Sequence, residues 1–158
     1  MKKAFRNDAR AKVTGQAIYT DDLKLHEMLH AVPVYSELPR ATLISLDTSA
    51  ALKLPGVVAV ITAKDIPGNI RYGQIIKDYP VLADKDINST GDVLALVVAK
   101  TREQAIAAVP SIKIELQPLK PILDPEEEIK SDAEILHPFY GSNLTNYHRI
   151  RRGDVAKA

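Results

Sequence analysis

The chain has 158 residues, no cysteine, and 21 Lys and Arg against 20 Asp and Glu, a formal net charge of +1. A domain of that length buries about two-thirds of the surface its unfolded form exposes, and the missing thiols exclude disulfides, iron-sulfur clusters, thiolate zinc sites and cysteine nucleophiles. The mixed charge leaves no electrostatic footprint for nucleic acid, and no apolar run approaches the roughly 18 residues of a membrane helix. Met1-Lys2-Lys3 leads into Ala4-Phe5-Arg6-Asn7-Asp8 rather than an apolar signal core, so a cytoplasmic protein is the expectation.

In chain order, the first 27 residues are polar and turn-rich, with Thr14-Gly15 and Asp21-Asp22 flanking a short candidate strand from Gln16 to Thr20. This segment is expected to wrap the domain. Met28 to Ser36 is apolar with β-branched and aromatic residues and reads as a strand, with Pro33 placing it at an edge or a bulge. Ala41 to Asp47 alternates Leu43, Ser45 and Asp47 against Thr42, Ile44 and Leu46, a second strand. Thr48-Ser49 can cap a short helix from Ala50 to Leu54, which Pro55-Gly56 stops. Val57 to Thr62 is a continuous apolar run of the kind buried on both faces. The loop from Lys64 to Tyr79 is longer than a simple connection needs, as functional or mobile loops are.

After Pro80, the apolar segment Val81 to Ala83 leads through Asp84-Lys85-Asp86 to Gly91, and Val93 to Ala99 is the strongest strand signal. Thr101 offers an N-cap hydroxyl to a helix in which Ala105, Ala108 and Val109 recur at helical spacing and which Pro110 ends. Ile112, Ile114 and Leu116 then alternate with Lys113, Glu115 and Gln117, a strand with one wet face. Strand, helix and strand suggest a β-α-β unit, its crossover right-handed if the two strands pair in parallel. Asp124-Pro125-Glu126-Glu127-Glu128 reads as an N-cap, a proline at the first helical position and acids at the positive end of the helix dipole. Beyond Ser131 the pattern dissolves. The fold class is α/β (α+β), with about six strands and two or three short helices.

Chemistry is sparse. No glycine pair makes a dinucleotide fingerprint. His26 and His30 have an i, i+4 spacing, but no helix is expected there to turn it into a metal site. Asp21-Asp22 belongs to a turn and the 126–128 acids to a helix start. Arg149-Ile150-Arg151-Arg152 has no aromatic interleaving for base stacking and reads as solvated surface. No residue is assigned a catalytic, cofactor-binding or metal-binding role on these grounds.

Order adds what spacing does not. Val13-Thr-Gly-Gln-Ala-Ile-Tyr-Thr-Asp-Asp22, Met28-Leu-His-Ala31, Leu54-Pro-Gly-Val57, Asp65-Ile-Pro-Gly68, Pro80-Val-Leu-Ala83, Ala95-Leu-Val-Val-Ala99, Ile114-Glu-Leu116 and Gly153-Asp154 follow one another along nearly the whole chain. Each is weak alone, but together they resemble the opening α/β-hammerhead domain of the large, molybdopterin-binding subunit of the xanthine dehydrogenase and aldehyde oxidase family of molybdenum hydroxylases. Two departures stand out. Glu37-Leu-Pro-Arg40 replaces a proline and histidine-rich turn, and Gly91-Asp92 adds a charge at a turn expected to face a neighbouring domain.

The resemblance implies a part in a hydroxylase that oxidises an aldehyde or N-heterocycle with water as oxygen source. That enzyme uses molybdopterin-molybdenum, 2Fe-2S clusters and FAD, none of them bound by this chain alone. Its general-base glutamate lies, in the family, beyond the Gly-Asp motif, so no glutamate here takes that role. Carried over by position, Arg71, Tyr72, Gln74 and Ile75 line the substrate funnel, the Gln74 amide favouring a hydrogen-bonding substrate such as a purine. Residues 1–130 would be the hammerhead domain and 131–158 an extended linker toward a molybdopterin-binding domain, with iron-sulfur and FAD domains or subunits as further partners. An exposed apolar face is expected where the remaining domains pack. The alternative is a stand-alone hammerhead binding or assembly module without redox activity.

Overall fold

The structure is a computed structural model and describes residues 6–74, 77–136, 138–144, 146–154 and 157. Among them run helix α1 (Ala9–Val13), strands β1 (His30–Tyr35), β2 (Ala41–Asp47) and β3 (Val57–Thr62), the two-residue strands β4 (Arg71–Tyr72), β5 (Tyr79–Pro80) and β6 (Asp86–Ile87), strand β7 (Val93–Ala99), helix α2 (Arg102–Ala108), strand β8 (Lys113–Pro118) and helix α3 (Pro125–Glu128). The sheets are β1-β7-β3, β6-β2-β8 and the pair β4-β5, every ladder antiparallel. The expected class is borne out. The strand count exceeds six because β4, β5 and β6 are too short to show a period.

The first sheet is organised by β7, its central strand. Ala95, Val97 and Ala99 are fully buried and meet Val32 and Val34 from β1, Val60 from β3, and Ala105 and Ala108 from α2. Alanines on the helix let its backbone lie close to the sheet, where dense packing recovers dispersion energy. The helix starts where the Thr101 hydroxyl oxygen accepts the Gln104 N–H at 3.2 Å, the cap expected from the sequence. Gly56 turns the chain into β3 at φ 86°. Its carbonyl accepts the Lys100 N–H at 2.9 Å; the positive φ is what calls for glycine, and a Cβ there would also displace the end of the Gln104 side chain.

Several expectations are corrected. β7, α2 and β8 do not form a parallel crossover: β1 and β3 already occupy both edges of β7, and β8 passes to the second sheet and pairs antiparallel with β2. In β2 a register shift between Leu43 and Ser45 breaks the alternation, so Leu43 and Leu46 both face inward, opposite Leu116 and Ile114. Strand β3 is an edge, not a doubly buried strand, with Val58 half exposed at a register shift. The proposed helix from Ala50 to Leu54 is a single 3-10 turn over Ala51–Lys53. Gln16 to Thr20 forms no strand. Its hydrogen bonds are local, with the Gln16 and Ala17 N–H groups donating to the Ala11 carbonyl at 2.8 and 3.0 Å, and no residue of 14–29 is buried.

Strand β8 behaves as expected. Ile114 and Leu116 turn inward, and Lys113, Glu115 and Gln117 turn out. A second apolar cluster, Ala41, Ala83, Ile87 and Leu94, joins this sheet to the start of β7.

Candidate functional site

The long loop after β3 is shaped by side chains that accept backbone hydrogens. Asp65 Oδ2 accepts both the Thr62 N–H and the Thr62 hydroxyl at 2.8 Å, which closes the strand into a turn. Asn69 Oδ1 accepts the Arg71 N–H at 3.0 Å, an Asx turn that aims β4 back along β5. The Val81 N–H then donates to the Ile70 carbonyl, and the Ala83 N–H to the Val93 carbonyl, each at 2.8 Å. These bonds moor the hairpin to the start of β7.

Arg71 stands opposite Pro80, and Tyr72 opposite Tyr79. The two tyrosine rings meet edge to face, centroids 5.4 Å apart at 72°, and each remains about half exposed, at 54% and 50%. Such a pair is worth about 0.5–1.5 kcal/mol beyond its burial. Arg71 Nη2 lies 3.0 Å from Asp84 Oδ1, so its charge is already countered. Gln74 is exposed on a bend just past Gly73. Of the expected funnel residues, Arg71, Tyr72 and Gln74 thus share one hairpin, and Ile75 lies outside the described residues. Tyr79 was not foreseen, because only the register of two-residue strands reveals its pairing.

Burial first, then the neighbouring Asp92 carboxylate and Tyr72, raise the Tyr79 phenol above its ordinary range. At neutral pH it keeps its proton and can donate a hydrogen bond. Asp92 itself does not face outward. It is buried, with Oδ2 accepting the N–H groups of Asn88 and Ser89 at 2.8 and 3.3 Å and Oδ1 accepting the Ser89 hydroxyl at 3.0 Å. Its carbonyl also accepts the Ser36 N–H at 3.1 Å. The charge added at this turn therefore organises the turn from within.

The second departure, Arg40, is likewise structural. Its side chain is buried and grips Glu134 with both terminal nitrogens, at 2.7 and 2.8 Å, while Nη1 also reaches the Lys120 carbonyl at 3.1 Å. Asn143 continues the network: its Nδ2 donates to the Glu134 and Glu128 carbonyls at 2.9 and 3.1 Å, and its Oδ1 accepts the Leu136 N–H at 2.8 Å.

Hydrogen bonding to Arg40, then its charge, hold the Glu134 carboxyl below the ordinary glutamate range. A depressed carboxylate stabilises the fold above the unfolded value and loses that contribution as pH falls through the folded one. Protection of the amides of residues 131–136 and 138–144 from exchange, taken relative to the intrinsic rate at each pH, is therefore expected to fall as pH drops below about 4. Glu134→Gln should show the low protection already at neutral pH, and protection unchanged in that variant would mean the ion pair does not hold the segment.

Among the described residues no group of three or more His, Cys, Asp or Glu side chains is placed to hold a metal ion, and no helix is long and apolar enough to cross a membrane. Residues 14–120 match the family model described as aldehyde oxidase and xanthine dehydrogenase, a/b hammerhead domain.

The chain belongs to that family.

The match runs from before β1 past β8 and includes the tyrosine hairpin, which bears out the resemblance read from the ordered motifs. A probable xanthine dehydrogenase subunit of Bacillus subtilis is 38% identical over 150 residues, 95% of this chain and 20% of that protein. The nicotinate dehydrogenase large molybdopterin subunit of Eubacterium barkeri is 35% identical over 160 aligned residues, 99% of this chain and 36% of that one. In three dimensions the aldehyde oxidoreductase of Desulfovibrio gigas superposes with a TM-score of 0.79 at 34% identity, covering 84% of this hammerhead chain and 16% of that enzyme. This chain thus spans about a third or less of each of these relatives.

Proposed function

We propose that this chain acts as the hammerhead domain of a molybdenum hydroxylase large subunit and that the β4-β5 hairpin forms part of the wall past which substrate reaches the reacting centre. The observation that carries the reading is the family match across β1 to β8, with Tyr72, Gln74 and Tyr79 left open at the hairpin. The names of two relatives, a xanthine and a nicotinate dehydrogenase, favour an N-heterocycle as substrate, with an aldehyde next.

In the complete enzyme a molybdenum cofactor would supply the oxidation of an electron-poor carbon with an oxygen taken from water, and 2Fe-2S clusters and FAD would carry the electrons away. The sequence has no cysteine with which to ligate an iron-sulfur cluster, and no residue of this chain is assigned to the molybdenum cofactor. The part of the chain's own residues is to bind and orient. The Gln74 amide offers a donor and an acceptor to ring nitrogens or an exocyclic oxygen. The paired Tyr72 and Tyr79 rings present an aromatic edge and face to a planar heterocycle, the Tyr79 hydroxyl being directed to Asp92. Arg71, countered by Asp84, holds the hairpin rather than the substrate. Residues 131–158 would lead toward the molybdopterin-binding domain, in a cytoplasmic enzyme with iron-sulfur and FAD partners.

The pure chain, given xanthine, nicotinate or an aldehyde with a dye acceptor, is expected to show no turnover, and turnover would overturn the domain reading. In the complete enzyme Gln74→Ala should raise KM for a purine about fivefold, the worth of one hydrogen bond, with kcat little changed. An unchanged KM would remove the hairpin from the substrate path.

A further inference from the structure

An antiparallel sheet that meets water on one side carries polar residues there. The second sheet conforms: Thr42, Ser45 and Asp47 of β2 and Lys113, Glu115 and Gln117 of β8 turn away from its core. The first sheet does not. Its register gives Val32, Val34, Val60, Val97 and their neighbours to the face under α2, so the residues between them point the other way. Those are Ala31 and Pro33 of β1, Leu96 and Val98 of β7, and Ala59 and Ile61 of β3. Ala31, Val98 and Ala59 form one row across the strands, and Pro33, Leu96 and Ile61 the next. Neither row contains a charge, a hydroxyl or an amide.

None of the six is buried; Ala31 is exposed and the others are half-buried.

We propose that this face docks against an aliphatic surface of the remainder of the large subunit. The inference rests on the domain reading above. Two facts select this occupant over a second copy of the chain. Relatives carry several times as much polypeptide, this chain making up 20% and 36% of the two described. Six mostly small side chains also offer a few hundred Å² at most, short of the roughly 800 Å² per partner of a stable dimer. A surface tethered in the same polypeptide needs less, because its effective concentration is high and little translational freedom is lost.

The chain has no cysteine, so Val98→Cys adds a single thiol on this face and Lys113→Cys a control thiol on the polar face of the second sheet. Maleimide labelling at each site, read by mass spectrometry, is compared between the chain purified alone and the same variant recovered natively from its own cells and sized by sedimentation. The expected result is ready labelling of both sites in the isolated chain. In a much larger native species, site 98 should label at least about tenfold more slowly while site 113 is unchanged. Equal labelling in the large species overturns the docking face and leaves the domain reading standing. A native species no larger than the chain overturns the domain reading and the inference with it. Slowing in the isolated chain that grows with its concentration makes a second copy the occupant and overturns the proposal. Ile61→Cys gives the same readout should Val98→Cys fail to fold.

Discussion

Replacing Leu94 by alanine is expected to lower the free energy of unfolding by about 3 kcal/mol, within the range for fully buried leucines. Leu94 has no accessible surface and packs in the second cluster with Ala41, Ala83 and Ile87. Ala41 and Ala83 cannot swing into the vacated space, and Leu43, Ile114 and Leu116, which also pack against the cluster, are tied to the β2-β8 ladder, so a cavity should persist. Strand β7 is also held on both edges around this point, Ala95 standing between Val34 and Thr62, so the backbone cannot collapse to fill it. The measurement is the urea midpoint at unchanged slope. Leu96→Ala, on the half-buried open face, should cost nearer about 1 kcal/mol. Equal losses at the two positions would show that the second cluster is not a packed core.

Asp92→Ala is the next largest, at about 2–3 kcal/mol. The loss is not that of a surface charge. The carboxylate satisfies the Asn88 and Ser89 N–H groups and the Ser89 hydroxyl, and truncation leaves donors without partners in a partly buried turn. Asp92→Asn keeps one acceptor but sets an NH2 group against the remaining donors, so about half the loss should return. Because the Ser36 N–H bonds to the Asp92 carbonyl, the turn also fixes the end of β1, and chemical shifts around Ser36 should move with the substitution. A loss below about 0.5 kcal/mol would place Asp92 among ordinary surface residues.

Much of the fold was legible because its long strands carry their own signal. The bounds of β2, β3, β7 and α2 follow from β-branched runs, an N-cap hydroxyl and a proline stop, and the alternation of β8 named its wet face. Partnership was not legible. Whether β8 joins β7 or crosses to β2 depends on which edges are already taken, and that is a property of the assembled sheet. A register shift is equally silent, since Leu43 and Leu46 share a face only after one residue of β2 is left unpaired. At the candidate site, resemblance placed Arg71, Tyr72 and Gln74 on one loop. Periodicity could not place Tyr79 beside Tyr72, because a two-residue strand has no period. Asp92 and Arg40 stood out as departures from the family pattern. Their inward orientation follows from the donors and the carboxylate waiting for them, which lie scattered along the chain.

The central position of β7 sets a timetable for synthesis. Strands β1 and β3 pair with β7 and not with each other, so neither finds its partner until residue 99 has left the ribosome. At about 5–20 residues per second, the Val-Val-Ala-Val-Ile-Thr run of β3 waits for seconds with its backbone unpaired. That run has the composition that nucleates intermolecular strand pairing. Slow codons or a pause between residues 62 and 99 should therefore raise the insoluble fraction, and a chaperone that shields short apolar strands should matter most within that interval.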